Sequence, residues 1–205
     1  MKKNILIIII SLILILFFSF NSNAQTKKHY ELIETTEKDY LKAKSLNVGL
    51  KIKKGRKIEK ENYIMALPIE GDTIFLRDNL VKEKSPYMKK FDYIGEIIEI
   101  SKYVIKVVYF NDSQIWLVDK KDGTITGISC SFIATTEALI SYEKSNINIY
   151  INYANFLNNI GSIIEPNWTI DDIVWISSLS FIIKARKSYL DKDKTDVYYK
   201  VYIIK

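Results

Sequence analysis

The sequence has few of the residues on which many folds and catalytic sites depend. Its 205 residues include one cysteine, one histidine, three prolines and seven glycines. A single cysteine excludes an internal disulfide framework and a cysteine-rich zinc site. The only histidine, His29, lies too near the predicted mature N-terminus to make a histidine-based catalytic set the expected chemistry. With no glycine-rich phosphate loop either, the sequence predicts no metal and no cofactor.

The first 24 residues have the pattern of an export signal. Met1-Lys2-Lys3 is followed by an apolar run from Ile5 to Phe20, interrupted only by two serines, and then by the small residues Ser22 and Ala24. This order predicts a signal peptide cleaved between Ala24 and Gln25. The expected location is periplasmic, cell-surface or secreted. If the segment stays uncleaved, it becomes a short membrane anchor and the protein's only contact with the membrane.

The remaining chain divides by charge into a basic segment and a longer, more acidic region. Residues 25–61 carry eleven basic and six acidic residues, whereas residues 111–180 carry three basic and eight acidic ones. We expect 25–61 to be loose or partly helical, with a helix within 25–48 and a hairpin turn at Lys54-Gly55. Residues 62–205 are predicted to form one β-rich domain. The uneven charge indicates internal complementarity or an anionic partner.

Apolar residues alternate with polar ones through most of residues 62–205, which is the period of half-buried strands. Turn residues recur about every ten positions, as at Glu70-Gly71, Asn111-Asp112-Ser113 and Asp119 to Gly123. We therefore predict an all-β fold. The strands predicted from this pattern lie at 63–67, 72–76, 93–100, 103–110, 115–118, 124–128, 131–141 (two strands), 147–151, 160–164, 173–176, 179–185 and 197–204.

The unit formed by a strand, the turn Asp119-Lys120-Lys121-Asp122-Gly123, a return strand and the hairpin Ser131–Tyr142 resembles a blade of WD40-like β-propellers. Ala134-Thr135-Thr136-Glu137 stands where many such hairpins carry Ser-Pro-Asp-Gly, and no Trp-Asp dipeptide is present. The stretch Trp168–Ile176 is also similar to one found in uncharacterised exported bacterial proteins. The resemblance covers about residues 93–205 and implies a partial or small propeller-like stack of antiparallel sheets. A twisted β-sandwich is the alternative.

Three residues near position 170 are the candidate binding residues. Trp168 follows Pro166 and is expected on a surface loop, where an indole can stack on a sugar or anchor a peptide. Asp171 and Asp172 are adjacent acids that could serve a carboxylate-dependent hydrolase. The other tryptophans, Trp116 and Trp175, are expected in the core. Cys130 is expected to be a small buried side chain.

These observations favour a non-enzymatic module that binds or organises a protein or glycan partner outside the cytoplasm. No catalytic residue is predicted, and nucleic acid is not an expected partner of an exported protein. Two alternatives remain open at this point. One is a hydrolase that uses carboxylates such as Asp171 and Asp172, and the other is a membrane-anchored structural protein with an uncleaved signal.

Overall fold

A computed structural model describes residues 29–46, 48–55, 57–80, 87–153, 156–187 and 195–204. The predicted cleavage residues Ala24 and Gln25 lie outside these ranges. Within them the chain forms fifteen strands and one α-helix. The elements are β1 (Tyr30–Glu34), α1 (Glu37–Leu46), β2 (Lys60–Glu61), β3 (Ile64–Ile69), β4 (Asp72–Arg77), β5 (Lys89–Ile97), β6 (Lys102–Tyr109), β7 (Ser113–Asp119), β8 (Ile125–Ile128), β9 (Ser131–Ala134), β10 (Ala138–Glu143), β11 (Asn146–Tyr153), β12 (Phe156–Ile164), β13 (Trp168–Ser177), β14 (Ser180–Lys187) and β15 (Thr195–Ile203).

The strands form four antiparallel sheets that follow one another along the chain. Sheet 1 contains β2, β3 and β4; sheet 2 contains β5 to β8; sheet 3 contains β9 to β12; and sheet 4 contains β13 to β15. Neighbouring strands within each sheet are consecutive in sequence, with one exception. The N-terminal strand β1 pairs with the C-terminal strand β15, so that Tyr30 lies opposite Ile203, and gives sheet 4 its fourth strand. The prediction of an all-β fold is confirmed.

Successive sheets pack face to face through three separate apolar cores. Between sheets 1 and 2 lie Met65, Leu67, Leu76, Phe91, Tyr103, Ile105, Val107 and Val118. Between sheets 2 and 3 lie Ile97, Ile100, Val104, Ile115, Leu117, Ile128, Ala134, Leu139 and Tyr150. Between sheets 3 and 4 lie Ala138, Ile140, Ile147, Ile149, Ile163, Trp168, Ile173, Trp175, Phe181, Ile183, Ala185, Val201 and Ile203. The described residues thus form an open series of four sheets, rather than the two layers of a sandwich.

The central strands have apolar side chains on both faces because each face meets a different sheet. In β6, Ile105 points toward sheet 1 and Val104 toward sheet 3. In β14, Phe181 and Ile183 pack against sheet 3, while Ile182 lies on the opposite face. A strand buried on both faces reads as a continuous apolar run. This explains why the second half of the sequence is so rich in isoleucine, valine and aromatic residues.

Helix α1 covers the far face of sheet 4. Thr36 precedes the helix, and its hydroxyl accepts a hydrogen bond from the backbone amide of Asp39, which is an N-cap contact. Tyr40 and Ala43 on the inner side of the helix are buried against Ile182 and Tyr198. The helix therefore supplies the apolar partner that this sheet face would otherwise lack.

Residues 48–55 and 57–58, which we call the strap, run back from α1 to sheet 1 across the other sheets. The Leu50 amide donates to the Ala134 carbonyl at the end of β9, at 2.7 Å, and Lys53 pairs with Glu96 near the end of β5. A Cβ atom at Gly55 would lie 1.2 Å from Glu96 Oε1, so any larger residue at that position would require the Glu96 side chain to move. The predicted hairpin at Lys54-Gly55 is wrong, because this segment bonds to distant strands instead of folding on itself.

Three other predictions, for the helix, for Cys130 and for two tryptophans, can be compared directly with the structure. The predicted helix within 25–48 is correct only for 37–46, since residues 30–34 form β1. Cys130 is exposed, not buried, and its sulfur donates to the Ser113 carbonyl at 3.0 Å. Trp175 is in the core as expected, whereas Trp116 is only partly buried. Among the described residues there is no helix with the length and apolar character needed to cross a membrane.

Candidate functional site

A cleft of about 530 Å³ lies where α1 and the strap meet the first strands of sheets 3 and 4. Its walls are Ala43 and Lys44 of α1, residues 48–52 of the strap, Phe132 to Ala134 of β9, and Asp172 to Trp175 of β13. The lining combines apolar side chains with a few charged groups, which is the usual character of a small-ligand site. Each wall belongs to a different part of the chain, so the cleft exists only in the folded domain.

Two charged side chains of the cleft, Lys44 and Asp172, form a hydrogen-bonded cluster with Tyr40 of α1. The Tyr40 hydroxyl donates to Asp172 Oδ2 at 2.6 Å, and Lys44 Nζ lies 2.8 Å from the same oxygen. Lys44 also donates to the Tyr40 hydroxyl at 3.0 Å. Residues 40 and 44 are one helical turn apart, which places both side chains on the same side of α1. Asp172 therefore links sheet 4 to the helix that covers it.

The cluster holds Asp172 in its ionised form. Burial raises the pKa of the Asp172 carboxyl, but the hydrogen bonds from Lys44 and Tyr40 outweigh burial, and the net pKa is below its ordinary value. The hydrogen bond to Asp172 raises the pKa of Lys44. Burial raises the pKa of Tyr40. At neutral pH the cleft thus contains a carboxylate and an ammonium group, and both are hydrogen-bonded to the neutral phenol of Tyr40.

Trp175 lines the cleft and is 3% exposed. Its ring packs edge-on against Phe181, with 5.4 Å between the ring centroids. Its indole N–H has no hydrogen-bond partner among the described residues. A Cβ atom at Gly49 would lie 3.2 Å from the ring, so the strap crosses close to the indole. A buried donor without a partner is costly, which makes this wall of the cleft a place where a polar ligand atom would be stabilising.

The predicted pair Asp171 and Asp172 lies on β13, but the two carboxylates have different surroundings. Asp172 is in the cleft, whereas Asp171 Oδ1 accepts hydrogen bonds from two nitrogens of Arg186, at 2.9 and 2.6 Å. The pairing of β13 with β14 shifts register between Ile170 and Asp172, which leaves Asp171 at a bulge. The two acids therefore have separate cationic partners.

The expected surface position of Trp168 is wrong. Trp168 begins β13, is 6% exposed, and stacks on Tyr199 with 4.5 Å between the ring centroids. Pro166 does lie in a turn between two strands, as expected. However, β13 begins directly after Asn167, so the indole of Trp168 points into the core between sheets 3 and 4. Trp168 does not line the cleft.

The sequence analysis did not identify Tyr40 and Lys44, which lie in the basic segment that was expected to be loose or partly helical. Their spacing of four residues within a helix-compatible stretch was the available indication. It also missed two buried ion pairs in sheet 2. Lys102 and Asp119 pair with each other although each is 3% exposed, and Glu96 beneath the strap pairs with Lys120.

In the part of the chain that the structure describes, no group of three or more histidine, cysteine, aspartate or glutamate side chains is arranged to hold a metal ion. Comparison of the chain with protein-family models, with curated proteins and with solved structures finds no match. The function must therefore be argued from the cleft itself.

Proposed function

We propose that this chain is an exported, non-enzymatic binding module and that the cleft beneath α1 and the strap receives its ligand. The observation that carries the proposal is that the paired Lys44 and Asp172 and the indole of Trp175, whose N–H has no partner among the described residues, line the same cleft. Polar groups with defined geometry on an apolar wall can orient a ligand as well as enclose it. Lys44 and Lys51 against one carboxylate leave the cleft positive, which favours an anionic group on a protein or glycan ligand.

The chemistry of the cleft supports binding better than hydrolysis. Hydrolysis of a glycosidic bond by two acids requires one of them to be protonated near neutral pH, and therefore to have a raised pKa. The pKa of Asp172 is lowered, and Asp171 is occupied by Arg186. Export is supported by the sequence of residues 1–24, and the uncleaved anchor is the alternative form of the same proposal.

The wider architecture that we propose is a propeller-like stack. It is supported by consecutive antiparallel strands in each sheet, by face-to-face packing in chain order, and by the pairing of the chain's two ends in sheet 4. Sheets 2 and 3, which contain the turn at Asp119 and the hairpin Ser131–Tyr142, carry the likeness to WD40-type blades.

The test is a binding screen on protein produced by expressing the whole sequence. The intact mass of the purified protein establishes whether it is cleaved after Ala24. Acidic peptides and uronic-acid-containing glycans are compared with neutral counterparts. Lys44→Ala should lower the affinity for an acidic ligand at least about tenfold, since a charge-assisted hydrogen bond contributes on the order of 1.5–3 kcal/mol. Asp171→Asn is the matched control, because this neighbouring carboxylate lies outside the cleft, and it should leave the affinity unchanged.

The screen also decides against the proposal if it is wrong. Equal loss of affinity in Lys44→Ala and Asp171→Asn would place the ligand elsewhere on the surface. Cleavage of a screened glycan or peptide that stops in Asp172→Asn would show a hydrolase instead.

A further inference from the structure

The outer face of sheet 1, which points away from sheet 2, is apolar at its centre. Phe75 is 68% exposed and lies directly opposite Ala66, which is also exposed. The alternating residues Met65, Leu67 and Leu76 are buried against sheet 2, which fixes the orientation of the two faces. Terminal units of stacked folds normally carry a polar outer face. An exposed aromatic ring at this position therefore indicates a surface that is covered by a partner.

A row of three residues crosses the same face at one end. Glu61 of β2 lies opposite Ile64 of β3, which lies opposite Arg77 of β4. The acidic and the basic residue thus occupy the two edge strands at the same level, with an isoleucine between them. Neither Glu61 nor Arg77 has an ion-pair partner among the described residues.

This arrangement is complementary to itself. If a second copy is rotated by 180° about an axis that lies between two facing copies of sheet 1 and runs parallel to the strands, β3 faces β3 and β2 faces β4. Levels along the strands are preserved, so Glu61 of each copy meets Arg77 of the other. Ile64 meets Ile64, and the small Ala66 leaves room beside it for the Phe75 ring. Packed sheets cross at about 30°, which shifts these pairs by only a few ångströms over such short strands.

We infer that the outer face of sheet 1 is a homodimer interface that buries Phe75 and joins Glu61 of each copy to Arg77 of the other. Such a contact is isologous and closes on itself, so it gives dimers and not fibres. The face measures about 15 by 20 Å from strand spacing and rise. This is smaller than a standard interface, and we expect a dissociation constant on the order of 10–100 µM.

The test is sedimentation velocity on the protein expressed from the whole sequence, at concentrations from about 5 µM to about 500 µM, which bracket the expected constant. Phe75→Ser should abolish the concentration-dependent rise in sedimentation coefficient without changing the melting temperature. Arg77→Glu and Glu61→Lys should each weaken association by about tenfold, because symmetry doubles every altered pair. The double variant should recover association to within about twofold of the unaltered chain, because the swapped charges again attract.

Phe156→Ser is the matched control, since Phe156 is 51% exposed on β12, away from sheet 1. It should leave association unchanged. A monomer throughout the concentration range would overturn the inference. So would association that survives Phe75→Ser, that falls equally in Phe156→Ser, or that the charge-swapped double variant does not restore.

Discussion

The outer faces of the two terminal sheets, sheet 4 and sheet 1, are covered to different extents. At sheet 4, β1 supplies a fourth strand and α1 buries Tyr40 and Ala43 on the outer face. Among the described residues sheet 1 has three strands, β2 has two residues, and Phe75 is on the surface. The N-terminal segment thus completes the distant end of the series rather than the end next to it in sequence. An apolar sheet face needs a partner, and here one end has it within the chain.

The largest expected effect comes from removing equivalent aromatic rings at the two ends. Tyr40→Ala should destabilise the protein by about 3–5 kcal/mol, because it empties a buried site and leaves Asp172 with one fewer donor. Phe75→Ala, measured at protein concentrations too low for dimers to form, should change the free energy of unfolding by less than about 0.5 kcal/mol. Urea titrations of both variants make the comparison. Equal losses would show that the two ends are packed alike.

A smaller effect of opposite sign is expected at the turn before β3. Asn62 and Tyr63 both have positive φ, at 49° and 65°, as in a type I′ hairpin turn. A bulky residue is strained there, and Tyr63→Gly should raise the free energy of unfolding by up to about 1 kcal/mol. Thermal unfolding of Tyr63→Gly is compared with that of Asn62→Gly. Asparagine already tolerates positive φ, so a smaller gain in the free energy of unfolding is expected for Asn62→Gly. A loss of stability in Tyr63→Gly would mean that the ring makes contacts that outweigh the strain.

The smallest effect is a pH dependence of the free energy of unfolding that arises only at sheet 4, the end covered by α1. Because the folded-state pKa of Asp172 lies below its ordinary value, its contribution is fully present at neutral pH and is lost as the pH falls below about 4. The unaltered chain should exceed Asp172→Asn in stability by up to about 1 kcal/mol at pH 7, and the two should converge toward pH 2. Asp72→Asn on β4 controls for the loss of one negative charge at the other end. A difference that persists at low pH would assign the effect to packing.

The sequence predicts local β structure well and the two ends of the domain poorly. Apolar runs and the turn residues between them locate β3 to β15, because these strands pair mainly with their neighbours along the chain. They do not identify β1, whose partner β15 is at the far end of the described residues and whose apolar and polar residues alternate only over Tyr30-Glu31-Leu32. The prediction of a hairpin in the strap is wrong for the same reason, since Lys53 pairs with Glu96 of β5, which is distant in sequence.

The candidate site was only half predictable. Asp172 was selected because it is one of two adjacent acids, but Trp168 was misplaced because a proline near it indicated a loop. Tyr40 and Lys44 acquire their role only when α1 lies on sheet 4. The buried pair Lys102–Asp119 contradicts the rule that charges lie outside, and only the register of β6 with β7 brings the two side chains together.

The pairing of Tyr30 with Ile203 gives the chain a particular order of assembly. β1 can take its place in sheet 4 only after β15, at the far end of the described residues, has been synthesised. Contacts between such distant segments are slow to form because a long loop must close. Sheets 1 to 3 and the hairpin of β13 with β14 can form from local contacts before β1 docks. A chain that stops short of residue 195 would lose two strands of sheet 4, since β1 would then have nothing to pair with.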